Sequence, residues 1–317
     1  MTVTFGTPGT LDYDIGKAVA TEAGVENRAY DLSPRSFPWT DKLLLKNAAE
    51  YARPTKLFRA RSALNYAFDE LNAENCVYWS GFMGEASAGA HLPASESESW
   101  SAALSHFVDA NFGVPQLTAD DFGPREVLPD EPFAERSVLS FDEQLDYGIR
   151  QPYYIRPAAV FRDGFETPFC SEPWLEFMLN APRELRLDRA LFKTVVREQY
   201  PALFSLPTES NGGLPIDAPK YRRWMNIGKS MVENRVKRAL GLRTSRHSTN
   251  HFDWNAELKH SERLRSLAKR HLLDLADRNV VPWVDIEGIW NDSQSGGTRG
   301  DEIHQLVSLE LYLKIES

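Results

Sequence analysis

Ser80-Gly81-Phe82-Met83-Gly84-Glu85, with Gly89 shortly after it, is the stretch of this chain whose residue types suit ligand chemistry best. Glycines at 81 and 84 remove side chains, so backbone N–H groups can approach an anionic ligand. Ser80 adds a hydroxyl and Glu85 a carboxylate. An ordinary strand-to-helix turn has the same pattern, and the motif alone does not choose between the two readings. Lys193 is the second residue of interest, in Lys193-Thr194-Val195-Val196-Arg197-Glu198. It is a point charge on a flexible stem, suited to phosphate. It reads equally as a surface lysine on a helix whose apolar positions are Leu191, Val195 and Val196. His247 and His251 stand four apart near Asp253, a metal-like spacing. The Ser248-Thr249-Asn250 between them reads as loop, so no protein metal site is expected. Gly-x-Ser-x-Gly does not occur, which argues against an α/β-hydrolase.

These residues need elements to position them. Cys76-Val77-Tyr78-Trp79 reads as a buried strand running into the glycine turn. In an open α/β sheet such a turn lies at the carboxyl edge, where ligands bind. Upstream, Thr2–Phe5 reads as a strand, residues 12–23 as a helix ended near Gly24, and Asn27–Leu32 as a strand. Residues 41–52 and 57–73 read as helices, the second with a stripe of Leu57, Ala60, Leu64, Ala67 and Leu71. Strand–helix alternation implies a parallel sheet over residues 1–92 with helices on its faces. Residues 93–150 are acidic and proline-bearing and read as a connecting region with short helices. Beyond 171 the pattern is mostly helical: 172–180, 188–199, 218–239, 256–278 and 300–315. Arg299-Gly300-Asp301 reads as the turn entering the last of these.

The 317 residues are 42% hydrophobic and 26% charged, which suits a globular protein with ample core. No run of 18 apolar residues occurs, so no membrane span is expected. The start, Met1-Thr2-Val3-Thr4-Phe5, lacks the features of a signal peptide. Cys76 and Cys170 offer neither a disulfide framework nor a zinc site and are expected to pack as small apolar groups, in a reducing cytoplasm. A net charge of −9 argues against general nucleic-acid binding. The charge is uneven: residues 94–146 hold twelve acidic and two basic side chains, and residues 220–246 hold nine lysines and arginines and only Glu233. The basic stretch reads as a solvated helix face or as an anion-facing surface.

Taken in order, four segments resemble the synthetase domain of the asparagine synthetase family, a branch of the ATP-pyrophosphatase enzymes. Thr4-Phe5-Gly6, then Asp12, a helix and Gly24-Val25-Glu26, is similar to the family's second strand and the helix after it; Asn27 stands where the family has a histidine. Ser80-Gly81-Phe82-Met83-Gly84-Glu85 resembles the family's Ser-Gly-Glu-Gly-x-Asp-Glu turn, with Glu85 at the Asp position and Phe82, Met83 and Ala86 at its Glu, Gly and Glu. Glu166-Thr167-Pro168-Phe169, with Trp174-Leu175-Glu176-Phe177 and Pro182, resembles the family's Arg-x-Pro-Phe-Leu-Asp region, Glu166 replacing the arginine and Ser171 the aspartate. Lys193 to Glu198, ending at Tyr200-Pro201, matches its Lys-x-x-Leu-Arg-Glu helix. The matches span about residues 2–217.

The resemblance implies an α/β fold: a partial parallel sheet flanked by helices, adenine nucleotide alpha hydrolase-like, and then a mostly helical region. It places a nucleotide-binding region with its acidic connection at 1–150 and a helical region at 151–317. It implies an ATP-dependent, AMP-forming amide ligase or amidotransferase acting on a carboxylate such as aspartate, with ATP and Mg2+ as cofactors. A separate glutaminase or ammonia source would supply nitrogen; neither nucleic acid nor membrane is an expected partner. Lys193 would bind phosphate and Glu85 place magnesium or orient Lys193. Ser80, Gly81 and Gly84 would sit against the nucleotide, and Thr4, Phe5 and Gly6 would line the adenine edge. Glu85 reads equally as a carboxylate favoured at a helix start. The family's Ser-Gly-Gly-x-Asp-Ser pyrophosphate loop does not occur, and Thr2 stands where its glutaminase cysteine belongs. The expectation is therefore a domain without its first phosphate loop and glutaminase, weak or inactive as it stands. A catalytically silent nucleotide-binding or interaction protein on the same scaffold is the rival, and a truncated gene model a third reading.

Overall fold

The computed structural model describes residues 1–33, 36–51, 62–71, 76–160, 164–208, 211–219, 221–222, 224–226, 228–229, 232, 255, 258–259 and 261–316. The fold is α/β, 61% helical, with small parallel sheets. It divides into two compact units, residues 1–72 with 196–317, and residues 73–195.

In the first unit, β1 (Thr2–Gly6) pairs in parallel with β2 (Asn27–Asp31), from Thr2 opposite Asn27 to Gly6 opposite Asp31. The crossover is α1 (Leu11–Glu22), which packs on both strands. Gly16 permits that approach, because a Cβ there would lie 2.8 Å from Thr4 Oγ1. The helix stops at Gly24, whose φ of +65° favours a residue without a side chain. Then come α2 (Asp41–Tyr51) and α3 (Ser62–Leu71), which pack together and bury Leu44, Ala48, Ala67 and Leu71.

The second unit opens with β3 (Tyr78–Trp79) and α4 (Gly84–Ser87). Next come α5 (Trp100–Asn111) and α6 (Phe141–Leu145), which continues as a π-helix over Asp146–Ile155 and as α7 (Arg156–Ala159). β4 (Phe165–Glu166) pairs in parallel with β3. Beyond it lie α8 (Glu172–Asn180), α9 (Arg183–Arg186) and α10 (Ala190–Gln199). Ser99 and Ser140 cap α5 and α6, each accepting the N–H three residues on, and Glu143 returns the bond to Ser140 N as a capping box.

The chain re-enters the first unit at Val196, within α10, passes through α11 (Pro201–Phe204) and ends in α12 (Glu262–Arg278), α13 (Ile286–Ser295) and α14 (Gly300–Glu316). In α12, Leu264, Leu267, Ala268, His271, Leu272 and Leu275 are buried, a 3-4 spacing that faces one stripe inward. That stripe meets α14, which also packs on α2. His271 joins all three helices. Its Nε2 lies 2.9 Å from Asp41 on α2, and its Nδ1 lies 3.0 Å from Lys314 Nζ on α14. An ammonium cannot accept, so Nδ1 is the acceptor and Nε2–H the donor to the carboxylate.

Two expectations are corrected here. Among the described residues the parallel sheet expected over 1–92 is instead two separate pairs, because β3 takes its partner from residues 165–166 and not from β1 or β2. Nor is Cys76–Trp79 a buried strand. Only Tyr78 and Trp79 are extended in a ladder, and Cys76, Val77 and Trp79 are exposed. Alternation explains Val77 and Trp79: Tyr78 points inward to stack on Phe165 at 5.2 Å, so its neighbours point out, while Cys76 lies before the ladder begins.

Candidate functional site

The glycine turn sits where the sequence places it, between β3 and α4, and its hydrogen bonds close inward. Ser80 N donates to Glu166 O at 2.9 Å and Ser80 Oγ to Ala159 O at 2.9 Å. Phe82 N donates back to Ser80 Oγ at 3.2 Å, and Gly84 N to Gly81 O at 3.0 Å. Met83 completes the turn in the left-handed region, at φ +68°.

The two glycines do different things. A Cβ on Gly81 would meet nothing within 4 Å, so its face is open. A Cβ on Gly84 would lie 2.9 Å from the Phe169 ring, so Gly84 makes room for protein and not for a ligand. Phe169 in turn packs edge-on against Trp174 at 5.1 Å, and Trp174 Nε1 donates to Ser87 Oγ at 2.8 Å. Gly89, at φ +91°, faces the Arg186 carbonyl oxygen, where no Cβ fits.

Beside the turn lies a charged corner. After α9 the chain passes through Asp188 (φ +54°) and Arg189 (φ +61°), two consecutive left-handed residues, before α10 begins. Arg189 Nη1 contacts Glu85 Oε1 in an ion pair, and Lys193 Nζ lies 3.1 Å from Asp188 Oδ1. The side chains of Lys193 and Arg189 are 21% and 15% exposed, whereas those carboxylates are mostly in solvent. Each of two partly buried cations is therefore paired with an exposed carboxylate. Glu85 and Lys193 come into this corner through the Asp188–Arg189 pair and not by a contact with each other. Arg189 carries no signal in the sequence; it belongs to no spaced motif and reaches Glu85 only because the chain turns left-handed there.

Below α4 a buried network fixes the floor. Arg186 Nη1 lies 2.6 Å from Glu143 Oε1, and Glu143 also accepts from Ser140 Oγ at 2.7 Å. Asp146, at the start of the π-helix, binds His91 Nδ1 at 2.9 Å, Arg150 at 3.2 Å and Gln151 at 3.1 Å. Burial disfavours the Asp146 charge, but the His91 and Gln151 hydrogen bonds and the Arg150 charge outweigh it and hold the carboxyl below its usual range. Burial, seconded by Glu143, pushes the Tyr147 phenol above its ordinary value. Ala86, His91, Asp146 and Tyr147 border a cavity of about 10 Å³, room for a water at most.

Thr4, Phe5 and Gly6, expected at the same nucleotide, lie in the other unit. Thr4 is buried, and its Oγ1 accepts from Asn27 Nδ2 at 2.9 Å. Asn27, standing at the family's histidine position, also donates to Thr2 Oγ1 at 2.9 Å and so pins β2 to β1. Phe5 packs near Phe68 at 6.4 Å, and Gly6 O accepts from Leu32 N at 2.8 Å. His247, His251 and Asp253 lie outside the described residues, among which no cluster of three or more His, Cys, Asp or Glu is placed to hold a metal. Magnesium on a nucleotide needs only one or two protein carboxylates beside phosphate and water. Glu85 fits that minimal role if it leaves Arg189. No protein-family model, curated protein or solved structure matches the chain.

Proposed function

We propose that this chain is an asparagine-synthetase-like, ATP-dependent, AMP-forming amide ligase domain on an adenine nucleotide alpha hydrolase-like scaffold, acting on a small carboxylate such as aspartate. One observation carries the reading. Three segments that resemble that family in sequence, at 80–85, 166–174 and 193, converge around one turn. β3 pairs with the strand leading into Pro168-Phe169, Phe169 fills the space Gly84 leaves, and Lys193 pairs with Asp188, the residue next to the Arg189 that holds Glu85. Their meeting within one compact unit, residues 73–195, is what supports the reading.

Attack of a carboxylate on the α-phosphate of ATP releases pyrophosphate, and an amine or ammonia then displaces AMP from the acyl-adenylate. Negative charge grows on the leaving pyrophosphate, and fixed cations stabilise it most in the transition state. Lys193 and Arg189 are the cations proposed for this role, with Glu85 and Asp188 as the carboxylates that give way to phosphate. Glu85 then becomes the residue available to nucleotide-bound Mg2+. Nitrogen would come from ammonia or a separate glutaminase. Without a Ser-Gly-Gly-x-Asp-Ser loop, several charge-assisted contacts of about 1.5–3 kcal/mol each are missing, and ATP binding should be weaker by orders of magnitude. The silent-scaffold reading has one observation of its own: both cations are already paired and the turn closes its N–H groups inward. ATP–pyrophosphate exchange in the presence of aspartate separates the two. Slow, carboxylate-dependent exchange supports the ligase, and none at saturating ATP–Mg2+ supports the silent scaffold.

A further inference from the structure

His271 is 1% exposed and takes no part in the chemistry proposed above, whose residues lie in the other unit. It stands where α2, α12 and α14 meet. Its Nε2–H donates to Asp41 Oδ1 on α2 at 2.9 Å, and its Nδ1 accepts from Lys314 Nζ on α14 at 3.0 Å. Among the described residues, the charged groups around it come from all three helices. α2 supplies Asp41, which Arg270 of α12 also binds at 2.6 Å. α14 supplies Lys314, with Glu310 3.6 Å from its Nζ and Arg278 of α12 holding Glu310 at 3.0 Å. α12 itself adds Asp274, which contacts Lys314.

One proton acts on the two imidazole contacts in opposite senses. A neutral ring serves both neighbours: one nitrogen gives to the carboxylate and the other takes from the ammonium. An imidazolium has only donors. Its Nδ1–H then faces the Lys314 ammonium donor to donor and charge to charge, at a buried position where water screens little. On the other side, the bond from Nε2–H to Asp41 becomes charge-assisted and stronger. Lys314 has a way out, because its second partner, Asp274, is 41% exposed and lies toward solvent. Burial, and then Lys314, hold the imidazole below its ordinary 6.5. The arrangement with Lys314 withdrawn therefore takes up the proton first as pH falls.

We propose that His271 is a proton switch for the carboxyl end of α14: neutral, it ties α14 to α12 and α2, and protonated, it keeps Asp41, expels Lys314 and frees the last turns of α14. The device is local. α2 and α12 stay joined through Asp41 with His271 and Arg270, while α14 loosens from its end. It is therefore more than a loss of stability in acid, since one helix contact opens as the neighbouring one tightens. The proposal is independent of the ligase reading.

Hydrogen exchange of the full-length chain without denaturant, from pH 8 to 5 and corrected for the intrinsic pH dependence of amide exchange, tests this. Opening takes up one proton, so the opening constant of residues 309–316 should rise about tenfold per pH unit below the ordinary 6.5, until the closed form is itself protonated. Residues 41–51 should change by less than about twofold over the same range. His271→Gln keeps a donor for Asp41 and an acceptor for Lys314 but does not titrate, so 309–316 should stay protected throughout. Lys314→Met, at a side chain 23% exposed, removes the expelled cation and should flatten the response from the other side. Three outcomes overturn the proposal: protection of 309–316 that does not respond to pH in the parent, a response shared equally by 41–51, or a response that survives in both variants.

Discussion

Replacing Arg186 with methionine removes one half of the buried pair beneath the charged corner. The Arg186 and Glu143 side chains are 8% and 7% exposed, with Nη1 and Oε1 2.6 Å apart. Methionine fills much of the arginine stem's volume, so the loss falls on charge more than on packing. Glu143 keeps its bonds from Ser140 N at 3.1 Å and Ser140 Oγ at 2.7 Å, but both arrive on Oε2, leaving Oε1 without its cation. Breaking a buried ion pair from one side costs about 3–5 kcal/mol, because the remaining charge is desolvated and uncompensated. Adding Glu143→Gln removes that charge and should recover more than half of the loss, a coupling well above 1 kcal/mol in a double-mutant cycle. The two units need not unfold together, so the readout should be local: hydrogen exchange of the amides of residues 141–147 under increasing denaturant. A cost below about 1 kcal/mol for Arg186→Met, with additive behaviour in the cycle, would refute the argument that this pair holds α6 and α9 together.

The remaining expectations are briefer. Gly89→Ala should destabilise the second unit by about 2–4 kcal/mol, combining a left-handed backbone with a Cβ forced onto the Arg186 carbonyl, and should lower the melting midpoint. His271 should make the first unit acid-sensitive. Burial, and then Lys314, hold its imidazole below the ordinary 6.5 despite Asp41, with Arg270 and Asp274 also facing it. The unfolded chain therefore takes up the proton first as pH falls; the stability is complete above pH 6.5 and is lost as the pH drops through the lowered folded value. Denaturant midpoints measured from pH 8 to 5 should fall in the parent, and His271→Gln should flatten that slope.

Much of the helical skeleton is legible in the sequence. The segment 172–180 matches α8 end to end, and 41–52, 12–23 and 300–315 match to within a residue or so, because each has a 3.6-residue stripe or a glycine stop. α13 is missing from the sequence-based elements although Asp285 caps it by accepting from Gly288 N at 2.8 Å and Gly296 ends it; a cap with a terminal glycine is the available signal. β3 reads wrongly from sequence because four apolar residues in a row do not reveal which face is covered, and the partner lies 87 residues away at Phe165. Cys76, expected to pack as an apolar group, lies before the two-residue strand begins and is exposed. Local motifs indicate Ser80, Glu85 and Lys193, but the partners of Glu85 and Lys193 are Arg189 and Asp188, whose left-handed backbone has no glycine to announce it. The network of His91, Asp146 and Arg150 likewise depends on tertiary approach across more than 50 residues.

ATP–pyrophosphate exchange by the parent and by Lys193→Ala, at saturating ATP–Mg2+ with aspartate and a panel of other small carboxylates, tests the proposed chemistry most directly. Lys193 is assigned to charge that grows in the transition state, so its removal should depress exchange by more than it weakens ATP binding. The ligase reading predicts slow exchange in the parent that requires a carboxylate and is nearly lost in Lys193→Ala, while the ATP dissociation constant changes less. Absence of exchange with every carboxylate, or exchange that Lys193→Ala leaves unchanged, would contradict it.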